Sequence, residues 1–266
     1  MKRPSILKGA ERDGADMTLA DHLRELRYRL LICVGAVGLL MIPAWFLYNP
    51  LIDLLNQPYC SALVGQNPDA NCDFLVTNIL DPFSLRLKVA GYGGLFLAMP
   101  ILLWQLWRFI APGLYRRERR YSIAFVASSL ALFALGAFVA YMTLSKAVEF
   151  LVQIGGPDID IRSGPNEFVR LSLFMMLAFG LGFEFPIVLV ALQMIGVVTP
   201  QQLSSWRRQT VLIIVIVAAA ITPSGDPFSL AALAVPMYLF YELSILLGRL
   251  LARRRNRTPD PEGASA

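Results

Sequence analysis

Residues 171 to 198 read LSLFMMLAFGLGFEFPIVLVALQMIGVV, and Glu184 is the only ionisable side chain in the run. About 20 apolar helical residues cross a hydrocarbon core of about 30 Å, so this run is long enough to span a membrane. A strand of a membrane β-barrel would instead alternate in polarity over about ten residues. The stretch therefore predicts a transmembrane helix.

Further apolar segments lie on both sides of this run, at residues 30–48, 89–107, 121–144, 210–222 and 228–247. The segment 210–222 has 13 residues, which at about 1.5 Å each reach only about 20 Å. It could therefore be a re-entrant piece instead of a crossing. The turn sequence PSGDP at 223–227 favours a short helical hairpin. We predict an all-α, multi-pass membrane protein with six transmembrane helices, the fifth and sixth of them short.

The composition agrees with a membrane protein. Of the 266 residues, 56% are hydrophobic and 16% are charged, and the mean hydropathy is +0.56. Ordinary soluble domains are about 25% charged, so this chain has too few polar side chains to cover a water-facing surface. Its hydrophobicity also excludes intrinsic disorder as its general state.

The distribution of positive charge predicts the orientation. Of the 24 Lys and Arg residues, 19 lie in the segments 1–29, 108–120, 207–208 and 249–257. Six crossings place these segments on one side, and basic loops face the cytoplasm. Residues 49–84 contain no Lys or Arg. We therefore expect cytoplasmic termini: an N-terminal tail at 1–17, a six-helix membrane domain at 18–250 and a disordered tail at 251–266. The net charge of +5 is then an orientation signal and does not indicate nucleic-acid binding.

Two of the three cysteines, Cys60 and Cys72, fall in the outer loop, where a disulfide persists if the membrane is a bacterial plasma membrane. We predict that they pair, which would stabilise the loop by about 3 kcal/mol. Two unpaired thiols are the alternative.

No enzyme signature is present in the sequence. A single histidine, His22, excludes metal sites of the two-histidine type, and nucleophile-elbow and phosphate-loop motifs are absent. We predict no catalytic residue, no metal and no cofactor.

Three carboxylates stand out. Glu25 lies on a helix predicted to open at Thr18, and its simplest role is an ion pair with Arg29, four residues on. Glu118 stands among four arginines, where it would either relieve their repulsion or receive an incoming guanidinium. Glu184 lies at mid-membrane, where a charge is costly and usually marks a functional site. Its structural alternative is a protonated side chain bonded to a neighbouring helix, and Pro186 should kink the helix there.

The segments HLRELRYRL (22–30), FIAPGLYRRERR (109–120) and GFEFP (182–186) together resemble the TatC family. Members of this family are the core receptor subunit of the twin-arginine protein translocase. The resemblance covers roughly residues 17–250. It implies a cup-shaped, six-helix protein of the bacterial inner membrane that recognises twin-arginine signal peptides on folded proteins and nucleates their export by the proton-motive force.

The resemblance also implies roles for particular residues. Glu25 and Glu118 would engage the arginine pair, and the same cytoplasmic site would include Arg27, Phe109, Pro112 and Tyr115. Glu184 would meet single-span TatA/TatB-type subunits inside the membrane, and Asp226 is similar to the outer-turn acid of the family. Pro58 is similar to a proline of the outer loop. Membrane lipid and further copies of the chain are the other expected partners.

A proton-coupled small-solute transporter, with Glu184 as its proton relay, is the alternative from another functional class. The sequence shows no internal repeat of the kind common in such transporters.

Overall fold

The computed structural model describes residues 19–64, 78–110, 122–155, 165–222 and 225–255. The regular secondary structure among these residues is helical, as predicted. The helices are α1 (Leu19–Phe46), α2 (Tyr48–Val64), α3 (Asp81–Ile110), α4 (Ser122–Gly155), α5 (Pro165–Phe183), α6 (Phe185–Ile195), α7 (Pro200–Ser205), α8 (Arg207–Ile221) and α9 (Pro227–Arg255).

Five helical segments of the described residues are long and apolar enough to cross a membrane: Leu23–Phe46, Asp81–Phe109, Ile123–Leu151, Asn166–Ile195 and Pro227–Leu250. Helix α8 is the remaining predicted span, and its 15 residues reach about 22 Å at 1.5 Å each. A sixth crossing by α8 therefore stays a prediction.

The sixth predicted span is longer than expected. Helix α9 has 29 residues, so the prediction that this helix is short is wrong. Pro236 lies inside α9 without ending it, and the strong helix formers Leu and Arg continue the helix to Arg255. Residues 251–255, predicted to belong to the disordered tail, are therefore helical. Residues 256–266 and the tail before Leu19 lie outside the described residues, so the rest of the predicted tails stays a prediction.

The predicted kink at Glu184 is present as a break between α5 and α6. Pro186 lies at the start of α6, where its missing N–H costs nothing because the first amides of a helix have no intrahelical acceptor. The amide of Glu184 donates to Leu181 O at 3.1 Å, a tighter turn than the α-helix. The break thus falls within the Asn166–Ile195 span.

Helix α2 lies in the segment between the first two predicted spans, where the apolar runs of the sequence predict no helix. It packs Leu55 and Tyr59 into a cluster with Val89 of α3 and Phe168 of α5, and the rings of Tyr59 and Phe168 have centroids 4.9 Å apart. This outer segment is therefore attached to the membrane helices through buried side chains.

Helices α4 and α5 cross where two glycines meet. A methyl group on Gly136 would lie 2.6 Å from the carbonyl oxygen of Phe179, and one on Gly180 would lie 2.5 Å from the Phe133 ring. Small residues let helix backbones approach closely in membranes. This contact adjoins the main apolar cluster, which includes the buried Phe179, Phe183 and Tyr241.

Candidate functional site

Glu25 lies near the start of α1, at the end of the bundle predicted to face the cytoplasm. Its Oε1 accepts hydrogen bonds from Nε of Arg29 at 3.0 Å and from Nη2 of the same guanidinium. Nη1 of Arg29 donates to Oε1 of Gln105 on α3 at 3.1 Å. The ion pair expected from the spacing is therefore formed, and Gln105 ties it to a second helix.

This arrangement leaves one oxygen of Glu25 open. Among the described residues, Oε2 of Glu25 accepts no hydrogen bond, and the side chain of Glu25 is 24% exposed against 14% for Arg29. Arg29 is thus the inner partner, held from both sides, and Glu25 is the outer one. A second guanidinium could reach Oε2 without displacing Arg29.

The other predicted members of the cytoplasmic site are placed only in part. Arg27 is exposed on α1, and Phe109 is half-buried in the last turn of α3, four residues after Gln105. Pro112, Tyr115 and Glu118 lie outside the described residues. The Arg29–Gln105 bond therefore brings Glu25 towards the end of α3 that carries Phe109.

Gln105 is a member of this site that residue patterns did not predict. It lies in the apolar stretch LLWQLW at 102–107, and an uncharged amide in a span attracts less notice than a carboxylate. A polar side chain in a transmembrane helix usually bonds to a neighbouring helix, and that rule could have identified it.

Glu184 is buried at the α5–α6 break, with 7% of its surface exposed. Neither carboxyl oxygen has a hydrogen-bond partner in the described structure. The hydroxyl of Ser129 on α4 is close enough to interact with the carboxyl, although it does not complete a hydrogen bond. That hydroxyl already accepts from Nε1 of Trp107 at 2.7 Å, so Ser129 on α4 connects Trp107 on α3 to the surroundings of Glu184.

An apolar groove of about 290 Å³ opens near Ser129 and Glu184. Its lining includes Ser128, which precedes Ser129, and Pro186, which follows Glu184 by two residues. The lining also includes Phe125, Phe240 and Leu243, so the groove lies between α4, α6 and α9. An apolar helix could thus lie close to Glu184.

Asp226 has a local structural role. It is fully buried, and its Oδ1 accepts from the amide of Ser229 at 2.6 Å, as an N-cap does at the start of α9. It makes no hydrogen bond to Glu184, whose oxygens have no partner. The structure therefore does not join these two acids into one site.

In the outer segment, Pro58 is buried in α2. Cys60 is disulfide-bonded, whereas Cys33 is free. Cys72 lies outside the described residues, so its pairing with Cys60 stays a prediction. No group of three or more potential metal ligands occurs in the described part of the chain.

The fold and these sites define a multi-pass α-helical membrane protein with a buried carboxyl at the break of a spanning helix. The family model described as Sec-independent protein translocase protein (TatC) matches residues 21–236. The chain is 38% identical over 254 residues to the TatC protein of Frankia casuarinae, covering 93% of this chain and 70% of that protein. It is 34% identical over 242 residues to the TatC protein of Aquifex aeolicus, covering 90% of this chain and 98% of that one.

A crystal structure of the twin-arginine translocase receptor TatC in DDM superposes with a TM-score of 0.71 and 34% sequence identity, covering 85% of this chain and 99% of that chain. The chain belongs to the TatC family. It is thus a component of the Sec-independent, twin-arginine protein translocase, in a complex with other Tat subunits, and not an enzyme.

Proposed function

We propose that the cytoplasmic face of this chain binds the twin-arginine signal peptides of folded proteins through Glu25 and Glu118. Binding nucleates export, driven by the proton-motive force, across a bacterial inner membrane in which both termini face the cytoplasm. The observation that carries the proposal is the open Oε2 of Glu25, on a carboxylate fixed by Arg29, which Gln105 holds in turn.

The physical chemistry favours arginine as the ligand. A hydrogen bond to a charged group contributes about 1.5–3 kcal/mol, so two carboxylates and an apolar signal segment together could give micromolar binding. A guanidinium offers a planar fork of donors, whereas lysine offers a point charge. The arginines around Glu118 would repel basic segments that lack the correct geometry.

We assign the second site, at Glu184, to partner subunits. The unpartnered carboxyl and the neighbouring apolar groove suit a single-span helix of the TatA/TatB type that brings a polar group to mid-membrane. Further copies of this chain and membrane lipid complete the proposed complex.

The experiment is photocrosslinking of a twin-arginine peptide to the purified full chain in nanodiscs. Glu25→Ala and Glu118→Ala should each lower the crosslinked fraction, while the protein still inserts in the membrane. Glu149→Ala is the control, because it removes an exposed carboxylate near the opposite end of α4. Crosslinking at wild-type strength in the Glu25→Ala, Glu118→Ala double variant would rule out this assignment.

A further inference from the structure

Arg86 lies at the end of the bundle opposite Glu25, where α1, α2 and α3 meet. It is in the second turn of α3, and its guanidinium carbon lies 4.9 Å from the ring centroid of Trp45 and 5.3 Å from that of Tyr48. Both distances are within the range of about 6 Å for cation–π contacts. Two aromatic rings on two other elements therefore hold this cation in place.

Arg86 has no counter-ion among the described residues. The ion pairs found there join Arg29 to Glu25, Lys146 to Glu149 and Arg207 to Glu242. Asp81, on the same helix, is engaged by Asn166 Nδ2 at 3.0 Å and by the Asn78 amide at 3.1 Å. A cation near the apolar core without a partner is costly, so the site as it stands is electrostatically incomplete.

The orientation of the guanidinium shows where a partner would bind. Its Nε is buried and makes no hydrogen bond, but the two terminal nitrogens are not among the buried unpartnered atoms. Neither terminal nitrogen donates a hydrogen bond to any of the described residues. The open edge of the fork is therefore accessible, and this edge can bind a phosphate with two parallel bonds.

The surroundings point to the class of ligand. Phe46 is 77% exposed and Phe83 is 61% exposed, and Phe83 meets Trp45 edge-on with centroids 6.4 Å apart. Tryptophan and tyrosine gather at membrane interfaces, at the level of the lipid headgroups. A phospholipid would place its phosphate at the guanidinium and its acyl chains against these exposed rings. A free anion would bind the guanidinium without using the rings.

We propose that Arg86, Trp45 and Tyr48 form a binding site for the phosphate of an anionic phospholipid at this face of the membrane. The terminal nitrogens of Arg86 bind the phosphate, the two rings hold the guanidinium, and Phe46 and Phe83 contact the acyl chains. A bound lipid would thereby bridge the end of α1 and the beginning of α3.

The test is native mass spectrometry of the full chain in detergent, titrated with phosphatidylglycerol, phosphatidylcholine or inorganic phosphate. Arg86→Gln should weaken binding of the first phosphatidylglycerol about fivefold, the change expected for one surface charge, with phosphatidylcholine binding unchanged. Arg170→Gln is the control, because Arg170 holds the sixth position of α5 as Arg86 does of α3, but it is exposed whereas Arg86 is half-buried. It should cause a clearly smaller loss.

A second variant tests whether misfolding causes the loss of lipid binding. Trp45→Leu keeps the cation and removes one ring, and it should give an intermediate loss of phosphatidylglycerol binding. Equal losses of phosphatidylglycerol binding in Arg86→Gln and Arg170→Gln would show that surface charge in general attracts the lipid, and would overturn the proposed site. Displacement of the lipid by millimolar inorganic phosphate would show that the site binds a free anion and would overturn the proposal of a lipid ligand.

Discussion

Glu184 is an acid whose burial is not compensated by hydrogen bonds. An unpaired buried carboxylate destabilises a fold, so its retention at the α5–α6 break suggests a partner that arrives from outside the chain. Glu25 is the opposite case, since its charge is paired within the chain and one oxygen is left for a ligand. We therefore propose that the two acids serve two different binding events.

For Glu184→Ala we expect normal crosslinking of a twin-arginine peptide but reduced co-purification of the single-span partners and reduced transport. Thermal stability should change little, because removing a buried carboxyl without hydrogen bonds offsets the packing lost with its side chain. Ser129→Ala is the contrasting variant, since it leaves the Trp107 indole without an acceptor and should destabilise the protein by about 1–3 kcal/mol. Loss of peptide binding with intact partner contacts would reverse the assigned roles.

Residue types and spacing predicted which residues form much of the two sites, but not the hydrogen bond that joins two helices there. The spacing of Glu25 and Arg29 predicted their ion pair, and the isolation of Glu184 in an apolar run marked it as a candidate functional residue. Gln105 was missed because the bond to Arg29 depends on how α1 packs against α3. Asp226 caps α9, a role that its position in a turn allowed but did not identify.

At the scale of helices, the crossing of α4 and α5 depends on the absence of side chains at Gly136 and Gly180. The contact opposite Gly136 is a backbone carbonyl, which cannot move without shifting α5. Apolar runs predicted these helices well, because length and hydrophobicity decide membrane insertion. They did not predict α2, whose stability comes from packing against α3 and α5.

We expect Gly136→Ala to lower the melting temperature of the purified protein, because its methyl group would lie 2.6 Å from Phe179 O. The matched control is Gly38→Ala on α1, where nothing lies within 4 Å of the added carbon. An alanine there should be neutral or slightly stabilising, since glycine costs about 1 kcal/mol in a helix. Equal melting temperatures for the two variants would show that the α4–α5 contact is not tight.

At the scale of the whole molecule, the parity of crossings decides which faces the termini occupy. The five spans of the described residues would by themselves put the two ends of the chain on opposite sides. If the 15-residue helix α8 also crosses, both ends lie on the side of the basic segments. A helix about 8 Å shorter than the hydrocarbon core requires local thinning of the bilayer or cover by partners.

Cysteine labelling tests this topology. In a Cys33→Ala background, an impermeant maleimide should label Ile79→Cys in intact cells, because Ile79 is 97% exposed in the segment before α3. Ser5→Cys and Ser265→Cys should both react only after permeabilisation. Labelling of these two positions from opposite sides would mean that α8 does not cross.

The proposed signal-peptide site uses two carboxylates on the cytoplasmic face to recognise paired guanidinium groups. Its most direct test is the dissociation constant of the full chain in nanodiscs for a twin-arginine peptide and for the same peptide with two lysines. We predict binding about tenfold tighter for the arginine peptide, equivalent to about 1.4 kcal/mol, and loss of this preference in the Glu25→Gln, Glu118→Gln double variant. Equal affinities in the wild type, or a preference that survives in the double variant, would contradict the claim.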